Sequence, residues 1–124
     1  MSRIRAQNTK IDLKMKTMLN KMGCKFKMYP KMYGNPDFIV EESVVIFCDG
    51  DFWHGYKYFE KKRLRKKFWR DKIETNMKRD RRISRKLRHE GYSVLRFWEH
   101  DIHKKSEVCE RKIERKISEI LLDN

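Results

Sequence analysis

Two short runs of β-favouring residues lie close together in this chain and constrain its fold more than any other feature. The first is PDFIV at residues 36–40, and the second is VVIFCDGDFWH at residues 44–54. Only the polar sequence EES at residues 41–43 separates them. Two such runs joined by a short polar segment are typical of a β-hairpin, so the sequence predicts antiparallel strands with a turn near Glu42.

The hairpin is expected to bring acidic residues together. A turn centred between the two runs places Asp37 opposite Phe47 or Cys48. Asp49 then points to the same face as Asp37, because side chains alternate along a strand. Two carboxylates and the backbone carbonyl of Cys48 are oxygen ligands that suit Mg²⁺. The alternative for Asp37 is a turn-capping aspartate, which is common beside Gly, Asn and Pro; we favour the metal site.

The net charge indicates the class of partner. The 124 residues include 32 Lys and Arg against 18 Asp and Glu, which gives a formal net charge of +14. Such a balance favours a polyanion, and nucleic acid is the leading candidate. A merely solvated surface explains the alternating Lys and Glu near the C-terminus but not this excess. The residues that we expect to contact DNA are Lys66, Lys67, Arg79, Arg81 and Arg82.

Length and composition predict one domain over residues 1–124, since 39% apolar residues fill one core but not two. No apolar run reaches membrane-spanning length, and the N-terminus MSRIR leads into no apolar signal core. We therefore expect a cytoplasmic protein with no membrane partner. Cys24, Cys48 and Cys109 include no C-x-x-C pair, so the sequence predicts neither a disulfide framework nor a structural zinc site.

The rest of the chain predicts an α/β fold with a small sheet flanked by helices. Apolar residues spaced by three and four indicate a helix from about Thr9 to Gly23. Residues 25–29 and 93–98 are expected to be strands, and residues 56–67 an irregular loop or arm. A second helix is expected over residues 68–89, with the apolar stripe Trp69, Ile73, Met77, Ile83 and Leu87. A final helix from Ser106 is expected to place Cys109, Ile113, Ile117, Ile120 and Leu121 inward.

Three further polar residues are candidates for chemistry. Asp80 projects into the apolar stripe of the second helix, where a carboxylate is costly unless it is paired with an arginine or with the imidazole of His54. His54 can accept a proton near neutral pH, although a place among the neighbouring aromatic side chains is the alternative. Asp12 is either catalytic or a cap of its own helix, three residues after Thr9.

Aromatic residues are interleaved with the densest basic run, KKRLRKK at residues 61–67. Adjacent Phe52 and Trp53 cannot both point inward from one strand. We therefore expect at least one of them to be exposed, where it can stack on bases or wedge between them. Trp69 follows the basic run and is a third candidate for the same role.

The order of short motifs along the chain is specific. It runs PDF at 36–38, FCDGDFWHG at 47–55, FW at 68–69, KI at 72–73, RDRR at 79–82, GY at 91–92, VL at 94–95 and WE at 98–99. This order resembles the very short patch repair endonuclease family from Arg3 to the last helix. The resemblance implies a restriction-endonuclease-like fold and Mg²⁺-dependent cleavage of double-stranded DNA, with a nick in one strand beside a T:G mismatch in the repair members.

The resemblance also implies roles for individual residues. Asp37 would be the metal carboxylate, the carbonyl of Cys48 a second ligand, His54 the general base and Asp80 its partner. Asp12 stands where the family has a helical glutamate. The aromatic wedge that intercalates into the duplex would comprise Phe52, Trp53 and Trp69.

Besides Asp12, the chain departs from the repair members at two places. Where those hold structural zinc, this chain has Asp51, Tyr56, Tyr58 and His100, so no zinc is expected. Asp49 replaces the histidine that precedes the central glycine. We therefore predict a Mg²⁺-dependent DNA endonuclease that nicks one strand. The alternatives are a homing or mobile-element-type endonuclease without mismatch specificity, and a basic DNA-binding protein that does not cleave.

Overall fold

The computed structural model of the chain describes residues 9–51, 55 and 66–122. Within these ranges the elements follow one another as α1 (Lys10–Met22), β1 (Phe26–Met28), β2 (Phe38–Val40), β3 (Val44–Asp49), α2 (Lys67–His89), β4 (Ser93–Trp98), α3 (Glu99–Lys104) and α4 (Ser106–Leu122). Most of the predicted loop, residues 56–65, lies outside the described part of the chain. No helix in that part is long and apolar enough to cross a membrane.

Helix α1 begins and ends where its sequence signals predict. The Thr9 hydroxyl accepts a hydrogen bond from the backbone N–H of Asp12 at 3.3 Å, which satisfies one of the free donors of the first turn. Gly23 ends the helix with φ of 75°, a left-handed conformation that glycine adopts without steric cost. Local side-chain chemistry therefore sets both ends of α1.

The four strands form one mixed sheet in the order β1-β2-β3-β4. The pairs β1–β2 and β2–β3 are antiparallel, whereas β4 runs parallel to β3. Parallel neighbours need a long crossover, and α2 lies in the connection between them. The predicted α/β fold of the restriction-endonuclease-like type, with a small mixed sheet flanked by helices, is confirmed.

The β2–β3 hairpin closes through the predicted turn. Glu41 and Glu42 both have positive φ, at 50° and 58°, as in the turns that match the natural twist of paired strands. The Ser43 N–H donates to the Val40 carbonyl at 3.0 Å. Phe38 pairs with Ile46 in the resulting register, so the chain just before β2 runs beside the end of β3.

Strand β3 is buried on both faces, which is why its sequence VVIFCD is almost continuously apolar. One face packs against α1, α3 and α4 through a core that includes Met15, Leu19, Phe38, Ile46, Ile102 and Ile113. The other face carries a smaller cluster, Val45, Phe47, Leu87 and Val94, beneath α2. The sheet is thus covered by helices on both sides.

Two details of the predicted helices are wrong. Leu121 is 69% exposed, although it was expected to face inward. Helix α2 buries Ile73, Asn76, Ser84 and Leu87, whereas Trp69 at its start is 36% exposed. The 23 residues of α2 span roughly 34 Å, but the six residues of β3 span only roughly 20 Å. The first turn of α2 therefore has little sheet to cover.

Candidate active site

Two buried carboxylates meet at the end of the β2–β3 hairpin. Asp12 in α1 is 0% exposed and Asp37, just before β2, is 1% exposed. Carboxylate oxygens of these residues and the sulfur of Cys48 in β3 all lie within 4.8 Å of one another. Carboxylates buried this closely repel each other, and a divalent cation between them removes that cost. The three residues form the candidate metal site.

Asp37 is fixed by the hairpin itself. Its Oδ2 accepts a hydrogen bond from the backbone N–H of Cys48 at 2.6 Å, and its own N–H donates to the Ile46 carbonyl at 3.0 Å. The predicted position of Asp37 opposite Phe47 or Cys48 is confirmed. The carboxylate therefore bridges the two strands rather than capping a turn.

The Asp12 carboxylate is held by Tyr29, the residue that follows β1. The Tyr29 hydroxyl donates to Oδ2 of Asp12 at 2.6 Å. The other oxygen, Oδ1, is buried and has no hydrogen-bond partner among the described residues. A buried carboxylate oxygen without a donor is costly, and a bound cation would offset that cost. In α1 it is Thr9 that caps the helix, while the Asp12 carboxylate turns towards Asp37.

Asp49 lies on the other side of the sheet from this pair. Arg96 in β4 donates from Nη1 to both Asp49 oxygens, at 3.1 and 3.3 Å. The expected convergence of Asp37 and Asp49 on one face is therefore replaced by the pairing of Asp37 with Asp12. Alternation along β3 directs Asp49 to the α2 side, where it meets the Arg96 guanidinium. Asp37 precedes the first residue of β2, and its carboxylate lies on the Cys48 side, beside Asp12. Metal coordination by Asp49 stays a prediction.

Arg96 also connects the sheet to α2. Its Nε donates to Ser84 Oγ at 2.8 Å and its Nη2 to the Asp80 carbonyl at 3.2 Å. The Asp80 carboxylate lies 3.7 Å from Nη1, and the guanidinium stacks 3.9 Å above the ring of Phe47. Of the two partners foreseen for Asp80, the described structure contains the arginine.

A pocket of about 200 Å³ opens over this ion-pair network. Its lining residues are Asp49, Met77, Asp80, Arg81, Arg96 and Trp98. Gly55 borders the same region: it has φ of 84°, and a Cβ added to it would lie 2.5 Å from Sδ of Met77. The positive φ favours glycine, and a larger residue would also have to displace the Met77 side chain. Gly55 therefore packs one helical turn from Asp80.

Comparison with known proteins identifies the family. Residues 1–61 match the family model described as DNA mismatch endonuclease Vsr. A type II nicking enzyme of Neisseria meningitidis serogroup C is 32% identical over 118 residues, which cover 91% of this chain and 80% of that enzyme. The DNA mismatch endonuclease Vsr of Escherichia coli strain K12 is 31% identical over 123 residues, covering 96% and 79%. This chain belongs to the Vsr family.

A further Vsr relative is a type II nicking enzyme of Haemophilus parainfluenzae, 32% identical over 118 residues that cover 91% of this chain and 84% of that enzyme. Membership of the very short patch repair family, predicted from the motifs, is confirmed. The protein is a DNA endonuclease, and such an enzyme implies a divalent metal. The buried group of Asp12, Asp37 and Cys48 is the candidate site for it.

The structure describes only some of the other predicted Vsr site residues. The catalytic candidate His54 and the wedge candidates Phe52 and Trp53 fall outside the described residues. Trp69 is exposed at the start of α2. Of the predicted DNA contacts, Lys66, Lys67, Arg81 and Arg82 are exposed, whereas Arg79 is half-buried and donates to Asn76 at 2.8 Å.

Lys67 is engaged locally. Its Nζ lies 2.8 Å from the Asp71 carboxylate, and this hydrogen bond lowers the pKa of Asp71. Because the pair is exposed, water and salt screen it, so Lys67 remains able to exchange this partner for a phosphate.

Two residues at the position of the Vsr zinc site interact directly with each other. His100 Nδ1 lies 3.0 Å from Asp51 Oδ1, and His100 Nε2 lies 3.3 Å from Asp101 Oδ1. The His100 ring is also stacked on Trp98. Tyr56 and Tyr58 fall outside the described residues, and the absence of a zinc requirement stays a prediction.

Sequence reasoning missed Arg96 and Tyr29. A signal for Arg96 was present in the strand sequence SVLRFW, because an arginine in a buried strand must pair with an acid or extend its side chain into solvent. No comparable signal marked Tyr29. Its φ of 52° is a left-handed conformation that depends on the surrounding fold.

Proposed function

We propose that this protein nicks one strand of double-stranded DNA in a Mg²⁺-dependent reaction. The observation that carries the proposal is the buried pair of Asp12 and Asp37, with one Asp12 oxygen that has no donor among the described residues. Family membership and the names of the relatives support the reaction class. The net charge of +14 supports a polyanionic substrate.

The metal would be held by the carboxylate of Asp37, the backbone carbonyl of Cys48 and the carboxylate of Asp12. Asp49 is a further predicted ligand, and it would have to exchange Arg96 for the metal to join them. When bound, Mg²⁺ supplies charge that stabilises the phosphate being cleaved and orients water. The carboxylate of Asp37 is suited to this task because its hydrogen bond to Cys48 fixes its orientation before any ion arrives.

His54 would act as the general base and Asp80 as its partner. His54 directly precedes Gly55 in the chain, and Gly55 packs on Met77, one turn from Asp80 in α2. The imidazole would accept a proton from the attacking water, and the carboxylate would fix its tautomer and stabilise the resulting charge. Arg96 would position Asp80 through its contacts with the carboxylate and the carbonyl.

The exposed basic residues of α2 would bind phosphates, and Trp69 with Phe52 and Trp53 would stack on bases. Trp69 is exposed two residues after Lys67, so a base that stacks on it would have cations at the adjoining phosphate. Stacking and phosphate contacts fix the register of the duplex over the metal site.

A plasmid assay tests the proposal. Supercoiled DNA is incubated with the protein, with and without Mg²⁺, and nicked and linear products are separated. We expect open circles with Mg²⁺ and none without it. Asp37→Asn is expected to abolish nicking and Asp71→Asn, a matched change at an exposed carboxylate, to preserve it. Mg²⁺-independent nicking, linear product as the first product, or nicking by Asp37→Asn at the wild-type rate would each contradict the proposal.

The substrate can be varied in the same assay to define the target. Short duplexes with and without a T:G mismatch, otherwise identical, separate mismatch-directed cleavage from sequence-directed cleavage. Faster nicking beside the mismatch would place the protein with the mismatch enzymes of its family. Equal nicking of both duplexes at one sequence would favour the homing or mobile-element-type activity.

A further inference from the structure

A thiol lies beside the two buried carboxylates. The sulfur of Cys48 and carboxylate oxygens of Asp12 and Asp37 lie within 4.8 Å of one another, and Cys48 is 0% exposed. Since Cys48 alternates with Phe47 and Asp49 along β3, its side chain is directed to the α1 side, where Asp12 lies. The proposed function uses only the backbone carbonyl of Cys48 and leaves this sulfur without a role.

The spacing suits one ion shared by all three side chains. Zinc binds a thiolate at about 2.3 Å and a carboxylate oxygen at about 2.0 to 2.2 Å, and its tetrahedral geometry puts two such ligand atoms about 3.5 Å apart. The three atoms lie within 4.8 Å of one another, so side-chain movements of roughly 1 Å would bring them onto one ion. Asp12 also has a buried oxygen, Oδ1, with no hydrogen-bond donor among the described residues.

The chemistry of the donor set is mixed. Carboxylate and carbonyl oxygens suit Mg²⁺, whereas a thiolate selects softer ions such as Zn²⁺ and Cd²⁺. A site with oxygen donors alone lacks the thiolate that gives this preference for soft ions. One sulfur in place of an oxygen donor therefore changes which divalent cations compete for the site.

The geometry points to the Cys48 thiolate as a ligand for soft divalent cations, so that Zn²⁺ or Cd²⁺ displaces Mg²⁺ from this site and blocks cleavage. The inference rests on the proposed metal site. Binding breaks the S–H bond of Cys48, forms a sulfur–metal bond and releases one proton to solvent, with no change in oxidation state. The two Asp carboxylates complete the donor set from this chain.

The other two cysteines serve as matched controls. Burial, with help from Glu41 and Glu114, raises the pKa of the half-buried Cys24 thiol, and burial raises the pKa of Cys109 to about 11. Within the described part of the chain, neither belongs to a group of candidate ligands. Cys109 is buried in the same core as Cys48, so its replacement carries a similar packing cost.

The test is a Cd²⁺ titration of the metal-free full-length chain, monitored by the ultraviolet charge-transfer band of a thiolate bound to cadmium. We expect a band that saturates at one equivalent, is lost in Cys48→Ser and is kept in Cys24→Ser and Cys109→Ala. Asp37→Asn should weaken Cd²⁺ binding by roughly 10- to 100-fold, the range seen when even a supporting partner of a ligand is lost. Excess Mg²⁺ should shift the titration to higher Cd²⁺.

Circular dichroism establishes that each variant is folded, and Cys48→Ala replaces Cys48→Ser if the serine variant is not. A band that persists without the Cys48 sulfur, a wild-type chain with no band, or a band unaffected by Asp37→Asn and Mg²⁺ would overturn the inference. A different result would contradict the proposed function. In that case the wild-type chain would show the cadmium band but no Mg²⁺-dependent nicking.

Discussion

Arg96 in β4 forms an ion pair with Asp49 in β3, in which the single nitrogen Nη1 lies 3.1 and 3.3 Å from the two carboxylate oxygens. Asp49 is 4% exposed, so the aspartate depends on this partner for its charge to remain buried. The same guanidinium bonds the Asp80 carbonyl in α2. One side chain therefore links the end of the central hairpin to the helix that carries the proposed partner of the general base.

Replacing Arg96 by methionine is expected to lower the free energy of unfolding by about 3 kcal/mol, measured by urea denaturation. This is the lower end of the range for a buried pair that loses one partner, because the Arg96 side chain retains 21% exposure. Lys86→Met is the matched control. Lys86 pairs with Glu90 on the exposed face of α2, and such pairs contribute less than about 1 kcal/mol. An equal loss of unfolding free energy in both variants would show that the buried pair stabilises the fold no more than the exposed pair does.

Metal binding is expected to stabilise the wild-type chain but not Asp37→Asn. At a Mg²⁺ concentration 100 times the dissociation constant, linkage predicts a gain of about 2.7 kcal/mol, visible as a higher thermal midpoint. Without metal, Asp37→Asn should be at least as stable as the wild type, because it removes the repulsion between two buried carboxylates. An equal Mg²⁺ shift in both proteins would locate the stabilising ion elsewhere.

His54 and Asp80 are expected to act as one unit. Alanine at either position should slow nicking by about 10² to 10⁴-fold, and the double variant should be little slower than the slower single variant. His89→Ala, at an exposed histidine of α2, is the control and should nick normally. If the two effects multiply instead, Asp80 acts independently of His54 and serves as a structural partner of Arg96.

Trp69→Ala is expected to impair cleavage with only a modest loss of stability. The side chain is 36% exposed and contacts Phe68, so the free energy of unfolding should fall by about 1 kcal/mol, the centre of the range for single substitutions. Ile73→Ala, one turn later and fully buried, should cost about 2 to 5 kcal/mol. Nicking by Trp69→Ala should fall more on intact duplex than on a mismatched one, since a mismatch lowers the cost of unstacking. Equal loss on both would remove Trp69 from the wedge.

DNA binding is expected to weaken steeply with salt, with the logarithm of the association constant falling by ~0.9 per phosphate neutralised for each tenfold rise in salt. Arg81→Ala and Arg82→Ala should each reduce that slope by about 1. Lys116→Ala in α4 should leave it unchanged, because Lys116 pairs with Glu119 far along the chain from the basic run. A flat salt dependence in the wild type would rule out a mainly electrostatic interface.

The sequence by itself determined the elements whose causes are local. Thr9 and Gly23 set the ends of α1, and the polar segment between two apolar runs set the β2–β3 hairpin. The hairpin in turn placed Asp37 beside Cys48, because strand register follows from the turn. The motif order also sufficed for the family, since it is a property of the chain and not of its packing.

Only the tertiary structure decided how the acids are shared between the two faces of the sheet. Asp12 meets Asp37 because α1 packs against the hairpin, and Tyr29, which follows β1, reaches Asp12 from 17 residues away in sequence. On the α2 side Asp49 meets Arg96, a partner 47 residues away in sequence. Alternation along a strand determines the face to which a side chain points. Which helix and which charged residue pack on that face depends on long-range contacts, and no local sequence pattern specifies them.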